Sequence, residues 1–361
     1  MRKTSRFVPP NPFAIRGWGI FVFCILLVLT ACVPKPEPVT FQNPLNNSGP
    51  DPWMTYYEGS YYLAATTWGS THATGLTMRK APTIAALKTA EPVKIWQDLE
   101  SMNCCNYWAP EFFLLDGPDG LRWYGYFTGG PSSCCAYQHI NVIESAGTDP
   151  LGPYTYKAKL DNGFDRWAID ASILQLDGKL YLLFSAFTDG REGQGTQNLY
   201  ITQMSDPWTL NGERVLLSTP TYGWETSTGP VNEGPVALQR DGKTFIIYSA
   251  NGCWGPNYAL GMLAYQGGDP LQSSAWKKSP EPVFKGTNKV FSPGHNTFFK
   301  SPDGKEDWII YHANDTAAGV CDMKRSPRIQ KISWNSDGTP NLGTPVPPGE
   351  DVPGPAGEKR P

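Results

Sequence analysis

This chain of 361 residues is poor in charge. Only 17% of its residues are charged, its formal net charge is −3, and its basic residues form no cluster in the body of the chain. Nucleic-acid binding usually depends on a basic patch or stripe. No nucleic-acid partner is therefore expected.

Several short motifs with known chemistry are missing too. The chain has no HExxH zinc motif and no GxSxG serine elbow. Gly242-Lys243-Thr244 matches only the end of a phosphate-binding P-loop, because Ala237 stands where the loop needs its first glycine. These absences remove the corresponding zinc, serine-hydrolase and nucleotide-binding interpretations.

Long helical periodicity is also absent, whereas Gly (37), Pro (34) and aromatic residues (13%) are abundant. That composition predicts an all-β, loop-rich chain. An acidic residue followed by glycine precedes an aromatic stretch five times, and the glycines lie 58 to 64 residues apart at Gly59, Gly120, Gly178, Gly242 and Gly304. One hairpin per repeat at a near-constant period predicts a five-bladed β-propeller over residues 41–345.

A titratable residue lies eight or nine positions before each of these glycines: Asp51, Glu111, Asp170, Glu233 and His295. In a propeller, equivalent positions of the five blades meet at one mouth of the axis. Crowding carboxylates there costs free energy unless a site uses them. The alternative is a set of solvated turn residues, but recurrence in all five repeats favours a site.

Tryptophans accompany these positions in the sequence. Flat aromatic faces beside carboxylates suit a sugar ring, which has apolar faces and a rim of hydroxyls. Core packing between blades is the alternative for any single tryptophan. The expected substrate contacts are Trp53, Trp108, Glu111, Trp167, His295 and Arg328, with Arg325 as the fallback for Arg328.

Residues 1–32 are predicted to be a targeting segment. A basic start and an apolar run at 18–29 lead into Leu29-Thr30-Ala31-Cys32, which resembles the lipobox of a bacterial lipoprotein signal. The resemblance implies cleavage before Cys32, a lipid on its thiol, and an exported protein whose only membrane contact is that lipid. A plain signal peptide or an uncleaved anchor is the alternative.

The regions that flank the propeller differ from it in composition. Residues 33–40 alternate proline and are predicted to be an extended spacer, and residues 346–361 are predicted to be a disordered tail.

Export would make disulfides available to the six cysteines that remain when Cys24 and Cys32 are assigned to the signal. Six cysteines allow 15 pairings, and the sequence does not choose among them. A bridge between the Cys104-Cys105 pair and the Cys134-Cys135 pair is one expectation. A zinc site is the weaker one, because no CxxC is present. The six are Cys104, Cys105, Cys134, Cys135, Cys253 and Cys321.

Taken together, the motifs resemble glycoside hydrolase family 43. The resemblance is carried by Gly49-Pro50-Asp51-Pro52-Trp53, Trp108-Ala109-Pro110-Glu111, Ala168-Ile169-Asp170, Val231-Asn232-Glu233-Gly234-Pro235 and Pro293-Gly294-His295-Asn296. It implies that Asp51 is the general base, Glu233 the general acid, and Asp170 the residue that tunes and orients the acid. It also implies inverting chemistry on α-L-arabinofuranosides or β-D-xylosides.

Within that family, the sequence around Trp68 and residues 78–80 most resembles exo-acting α-L-arabinofuranosidases. A β-xylosidase, an endo-arabinanase and a non-catalytic glycan-binding surface lipoprotein are the alternatives. No cofactor is expected to be required. The resemblance allows a calcium ion on the propeller axis near His295.

Overall fold

The computed structural model describes residues 39–68, 75–98, 104–161, 166–318 and 321–359. The predicted targeting segment and most of the predicted spacer lie outside these ranges. Among the described residues, no helix combines the length and apolar character needed to cross a membrane.

Five antiparallel sheets follow one another along the chain, after a short first strand, β1 (Thr40–Gln42). Apart from the last strand of the third sheet, strands that are consecutive in sequence are neighbours within each sheet, which is the meander of a propeller blade. Blade 1 contains β2 (Trp53–Tyr57), β3 (Ser60–Ala64), β4 (Leu76–Ala81) and β5 (Val93–Trp96), with helix α1 (Ile84–Leu87) between the last two. Blade 2 contains β6 (Cys105–Gly117), β7 (Gly120–Gly130), β8 (His139–Ser145) and β9 (Tyr154–Lys159).

The remaining three blades repeat this order with small variations. Blade 3 contains β10 (Ile169–Leu176), β11 (Lys179–Phe187) and β12 (Gln197–Asp206), and both β13 (Thr209–Leu210) and β14 (Val215–Ser218) pair with β12. Helix α2 (Gly223–Thr226) precedes blade 4, which contains β15 (Asn232–Arg240), β16 (Lys243–Ala250), β17 (Ala259–Tyr265), a 3-10 turn (Ser273–Ala275) and β18 (Trp276–Lys278). Blade 5 contains β19 (Phe291–Lys300), β20 (Asp307–Asn314) and β21 (Ser326–Lys331), followed by the pair β22 (Ser333–Trp334) and β23 (Pro340–Asn341). The predicted five-bladed propeller is confirmed.

The acidic-Gly pairs lie at the turn between the first two strands of each blade. Three of these turns, Glu58-Gly59, Asp177-Gly178 and Asp241-Gly242, have positive φ at both residues. This is the geometry of a type I′ hairpin turn, which matches the twist of the strands it joins. The repeated dipeptide therefore marks the end of the propeller opposite the site.

Continuous apolar strands in this fold are explained by burial on both faces. In β3, Tyr61 and Leu63 pack toward blade 5, whereas Tyr62 and Ala64 pack toward blade 2. Successive side chains of a strand point to opposite sides, so a strand between two blades needs apolar residues at every position. One such cluster fills each of the five interfaces between neighbouring blades.

The C-terminal segment closes the ring and is not a disordered tail. A final strand, β24 (Asp351–Pro353), pairs with β1, and Val352 is buried in the same cluster as Phe41. Farther on, Glu358 accepts a hydrogen bond from the backbone amide of Ile84. The disorder predicted for residues 346–361 is wrong for 346–359, because a three-residue strand among prolines and glycines leaves no periodic pattern to detect.

Candidate active site

The site lies at the end where the first strand of each blade begins. The second strand of each blade returns to this end, so the segments between second and third strands surround the mouth. We call these the mouth loops: residues 65–75, 131–138, 188–196, 251–258 and 315–325, of which 69–74 and 319–320 lie outside the described ranges. A cavity of about 460 Å³ lies at this mouth, and described residues of four of these loops line it together with Asp51, Asp170, Glu233 and His295.

Backbone irregularities aim these side chains into the cavity. Asp51, Asp170 and His295 have φ values of 53°, 59° and 46°, in the left-handed region, and Gly234 next to Glu233 has 54°. The pairing of the innermost strands shifts register at the last three positions, which is the signature of a β-bulge. A non-glycine residue in this conformation costs roughly 1–3 kcal/mol, so the surrounding packing must hold it.

Asp51 is surrounded by positive charge and hydrogen-bond donors. Arg325 donates to its Oδ1 at 2.9 Å, Thr66 donates to its Oδ2 at 2.5 Å, and His295 Nδ1 lies 3.3 Å from Oδ1. Burial raises the pKa of Asp51, but the charges of Arg325 and His295 more than offset burial, and the pKa lies well below its usual range. The carboxyl is therefore ionised at neutral pH.

His312 supports Asp51 from the interior of blade 5. Its Nδ1 accepts the backbone N–H of Asp51 at 3.1 Å, and its pKa is lowered to about 3, first by burial and then by Arg325. The ring is therefore neutral, and its Nδ1 also lies 3.3 Å from Oδ1 of Asp51. No sequence pattern points to this contact, because His312 lies in a strand of mostly aromatic and apolar residues.

Glu233 occupies a different environment in the same cavity. Tyr258 donates its hydroxyl to Oε1 at 2.6 Å, and Gln197 donates to Oε2 at 3.2 Å. Burial raises the pKa of Glu233; His295 and the hydrogen bond from Tyr258 oppose the increase, and the charge of Asp51 adds to it. The carboxyl therefore keeps its proton to a higher pH than an exposed glutamate.

Asp170 lies beside Glu233 and accepts the backbone N–H of Gly234 at 3.0 Å. Burial raises its pKa to about 7; the charges of Glu233 and Asp51 contribute to the rise, and His295 opposes it. Like-charge repulsion thus acts between Asp170 and Glu233. Burial is nevertheless the larger cause of both shifts.

Glu111 does not line the cavity, contrary to the prediction. It is buried between blades 2 and 3, where Ser172 donates to its Oε2 at 2.8 Å. Burial raises its pKa well above the usual range, and the charge of Asp170 adds to the effect. Glu111 is therefore a protonated carboxyl that lies behind Asp170, where a substrate in the cavity cannot reach it.

Of the three tryptophans predicted to contact substrate, two line the cavity and one lies in the core. Trp108 and Trp167 line the cavity, and the Trp167 indole donates to the carbonyl of Cys135 at 2.7 Å. Trp53 instead packs between blades 1 and 2, with its ring centroid 5.1 Å from that of Phe112. Its assignment as a substrate contact is wrong, because strand alternation turns the residue that starts β2 into the blade interface.

Arg325, the fallback, takes the position expected of Arg328. Arg325 lines the cavity and binds Asp51, whereas Arg328 is fully buried and donates to Asp315 and Ser326. The two arginines lie on different sides of the start of β21, and sequence alone could not tell which one enters the cavity.

The cysteines pair differently from the expectation. Cys104 bonds to Cys105, Cys134 bonds to Cys135, and Cys253 bonds to Cys321 across 68 residues. No bridge joins the two adjacent pairs. The long-range bond ties the mouth loop of blade 4 to that of blade 5.

The donors around His295 do not form a calcium site by themselves. Within the described ranges, no three His, Cys, Asp or Glu side chains are grouped so that they could hold a metal ion. The acid nearest to His295 is Asp51, which Arg325 already neutralises. Calcium prefers six to eight oxygen ligands, and a cation would compete here with a fixed guanidinium.

The protein is a five-bladed propeller whose aromatic-lined cavity holds one ionised and one protonated carboxyl. This combination is characteristic of a glycoside hydrolase. Comparison with known families agrees: the model for glycosyl hydrolases family 43 matches residues 41–340. The chain belongs to this family.

Similar proteins include several arabinofuranosidases. An extracellular exo-α-(1→5)-L-arabinofuranosidase of Streptomyces avermitilis is 35% identical, over 88% of this chain and 66% of that protein. A protein of the same description from Streptomyces chartreusis is 34% identical, over 77% of this chain and 84% of that protein. The crystal structure of an α-L-arabinofuranosidase from Lactobacillus brevis superposes with a TM-score of 0.76 at 33% identity, covering 86% of this chain and 98% of that one. The chain thus spans slightly less than two thirds of the first relative's length.

Proposed function

We propose that this protein hydrolyses terminal α-L-arabinofuranosyl bonds with inversion of configuration. The observation that carries the proposal is the opposite electrostatic setting of two carboxyls in one cavity. Asp51 is held ionised by Arg325, whereas burial keeps Glu233 protonated to a higher pH. An inverting glycosidase needs one carboxyl in each state.

In the proposed reaction, Asp51 accepts a proton from water as the water oxygen attacks the anomeric carbon. Glu233 donates its proton to the glycosidic oxygen as the bond from that oxygen to the anomeric carbon breaks. One water molecule is consumed, and exchange of protons with solvent returns both carboxyls to their starting states. No metal or other cofactor takes part in these steps.

Asp170 acts through Glu233 in this scheme. Its contact with the amide of Gly234 fixes the backbone beside the acid, and repulsion between the two carboxylates disfavours the state in which both are ionised. It is a positioning and tuning residue rather than a proton donor to the substrate.

The choice of an arabinofuranoside is supported by the names of the relatives, which are arabinofuranosidases at 33–35% identity. Two of these relatives are described as extracellular, which favours export of this chain as well. Three disulfides among the described residues suit an oxidising compartment. We further propose that the Leu29-Thr30-Ala31-Cys32 segment directs lipidation at Cys32.

Proton NMR of the hydrolysis of 4-nitrophenyl α-L-arabinofuranoside tests the proposal. The expected first product is β-L-arabinofuranose, before mutarotation. The α-anomer as first product would overturn inversion. Faster hydrolysis of 4-nitrophenyl β-D-xyloside would indicate a xylosidase, release of oligosaccharides from linear arabinan would indicate endo action, and no hydrolysis of any glycoside would indicate a binding protein.

A further inference from the structure

An exposed tryptophan on the mouth loop of blade 4 is not used by the chemistry described above. Trp254 lines the cavity, yet 56% of its surface is exposed. A ligand that stacked on this ring would remove its exposed apolar surface from water.

The indole rests on glycine backbone. A Cβ atom added at Gly252 would lie 2.3 Å from two indole carbons, and one added at Gly229 would lie 2.9 Å from Cζ2. Any side chain at either position would displace the ring. The two glycines therefore form a cradle for one side of Trp254 and leave its other side to the cavity.

The loop that carries Trp254 is held in place by hydrogen bonds and a disulfide. Gly255 donates its N–H to the carbonyl of Gly252 at 3.2 Å, which closes a tight turn around Cys253 and Trp254. Cys253 is bonded to Cys321 of blade 5. Asn251, at the start of the loop, accepts the backbone N–H of Thr228 at 2.9 Å and so joins the loop to the segment that contains Gly229. An aromatic ring fixed in this way loses little conformational entropy when a ligand stacks on it.

The location of Trp254 identifies which part of a ligand would reach it. Its cradle includes Gly229, four residues before Glu233 on the segment that leads into β15, so their backbones are at most about 13 Å apart. Glu233 has to touch the glycosidic oxygen, and the leaving group extends from that oxygen away from the water activated by Asp51. The leaving group therefore lies on the side of blade 4.

We propose that Trp254 is the stacking platform for the sugar residue of the leaving group, held in place by Gly229, Gly252 and the Cys253–Cys321 disulfide. The ligand is a neutral pyranose or furanose ring that offers an apolar face to the indole. This inference rests on the proposed function, because it takes Glu233 to be the acid.

The test compares two substrates that differ only in the leaving group. In α-1,5-linked arabinobiose the leaving group is a sugar that reaches Trp254, and in methyl α-L-arabinofuranoside it is methanol, which is too small. We expect Trp254→Ala to lower kcat/KM on the disaccharide roughly 10- to 100-fold and to leave the methyl glycoside within about twofold. Trp254→Phe should recover part of the loss. Leu121→Ala, which removes an exposed apolar side chain near the turn at Gly120, is the control and should change neither rate.

Each outcome either supports or overturns the assignment of Trp254 as the platform. Equal losses on both substrates, or no loss on the disaccharide, would overturn the platform while the proposed function stands. A wild-type protein inactive on both substrates would overturn the proposed function, and this inference with it. The double variant C253S/C321S is expected to weaken only the disaccharide rate; loss on the methyl glycoside alone would contradict the proposed mounting.

Discussion

At the scale of single residues, two carboxyls in one cavity have different pKa values because their surroundings differ, although their chemistry is the same. Asp51 is buried and Glu233 is partly buried, but only Asp51 has a guanidinium at 2.9 Å. Glu233 receives neutral donors, Tyr258 and Gln197. A neutral donor offsets burial less than a cation does, so the pKa values move in opposite directions.

The roles of the two carboxyls can be separated by the leaving group. Glu233→Ala should lower kcat/KM about 10²- to 10⁴-fold on arabinobiose, because its leaving oxygen needs a proton, and much less on a dinitrophenyl arabinofuranoside. Asp51→Ala should slow both substrates alike, because both need the attacking water. A leaving-group contrast in the Asp51 variant instead would mean that acid and base are reversed.

The cation beside Asp51 should set the acidic limb of the pH–rate profile. Arg325 holds the Asp51 pKa down, and activity requires the ionised form, so Arg325→Gln should move the acidic limb of kcat/KM to higher pH. Arg328→Gln is the matched control, since that buried arginine faces Asp315 instead. An acidic limb unchanged in the Arg325 variant would show that His295 and the hydrogen bonds suffice.

At the scale of elements, the innermost strand of each blade carries the site at its first residues and the core along the rest. The bulges at Asp170, Glu233 and His295 interrupt the pairing only at the mouth. Below them the regular ladder resumes and packs against both neighbouring blades. Strain is thus confined to the segment that binds substrate, and the packed strands supply the stability that holds it.

The closing strand β24 should contribute to stability through one buried side chain. Val352→Asp would bury a charge in the cluster with Phe41, so we expect it to lower the free energy of unfolding by roughly 2–4 kcal/mol. Val93→Asp makes the same change at a position that is 48% exposed and should cost little. Thermal unfolding of both variants measures the difference, and equal melting temperatures would mean that β24 is not docked in solution.

At the scale of the whole molecule, the buried carboxyl of Asp170, which the site uses, lowers the stability of the folded protein. Asp170 has a folded-state pKa of about 7 and an unfolded-state value near 4, because burial penalises its charge. The unfolded chain therefore releases this proton first as pH rises, and the folded protein loses stability between about pH 4 and pH 7.

Asp170→Asn should accordingly make the protein more stable while making it a poorer catalyst. The gain in unfolding free energy should be roughly 1–4 kcal/mol at pH 7 and should vanish near pH 4. Loss of repulsion on Glu233 should also move the alkaline limb of activity to lower pH. Melting temperatures at the two pH values test the first part, and a gain that is equal at both would contradict the electrostatic cause.

Anchoring also concerns the whole molecule. If Cys32 carries the lipid, Cys32→Ala should move the protein from the membrane fraction of the producing cell to a soluble fraction or should block its processing. Activity per folded molecule should not change, because the catalytic residues all lie in the propeller. Membrane association that persists in the variant would favour an uncleaved anchor.

The sequence by itself determined the number of blades and the identity of the three clustered carboxyls. Both are local properties repeated along the chain: one acidic-Gly hairpin for each blade, and one titratable residue at a constant offset before it. In a propeller each blade contacts its neighbours in chain order, so a local period translates directly into architecture.

Only the tertiary structure decided which neighbours complete the site. Arg325 rather than Arg328 reaches Asp51, Trp53 enters the core, and Glu111 is buried behind Asp170, although all of them lie near the site in sequence. These outcomes depend on which way a strand faces and on contacts between residues far apart in the chain. His312, 261 residues from Asp51, has no sequence pattern that could reveal its contact, because the distance between the two is set by closing the ring of blades.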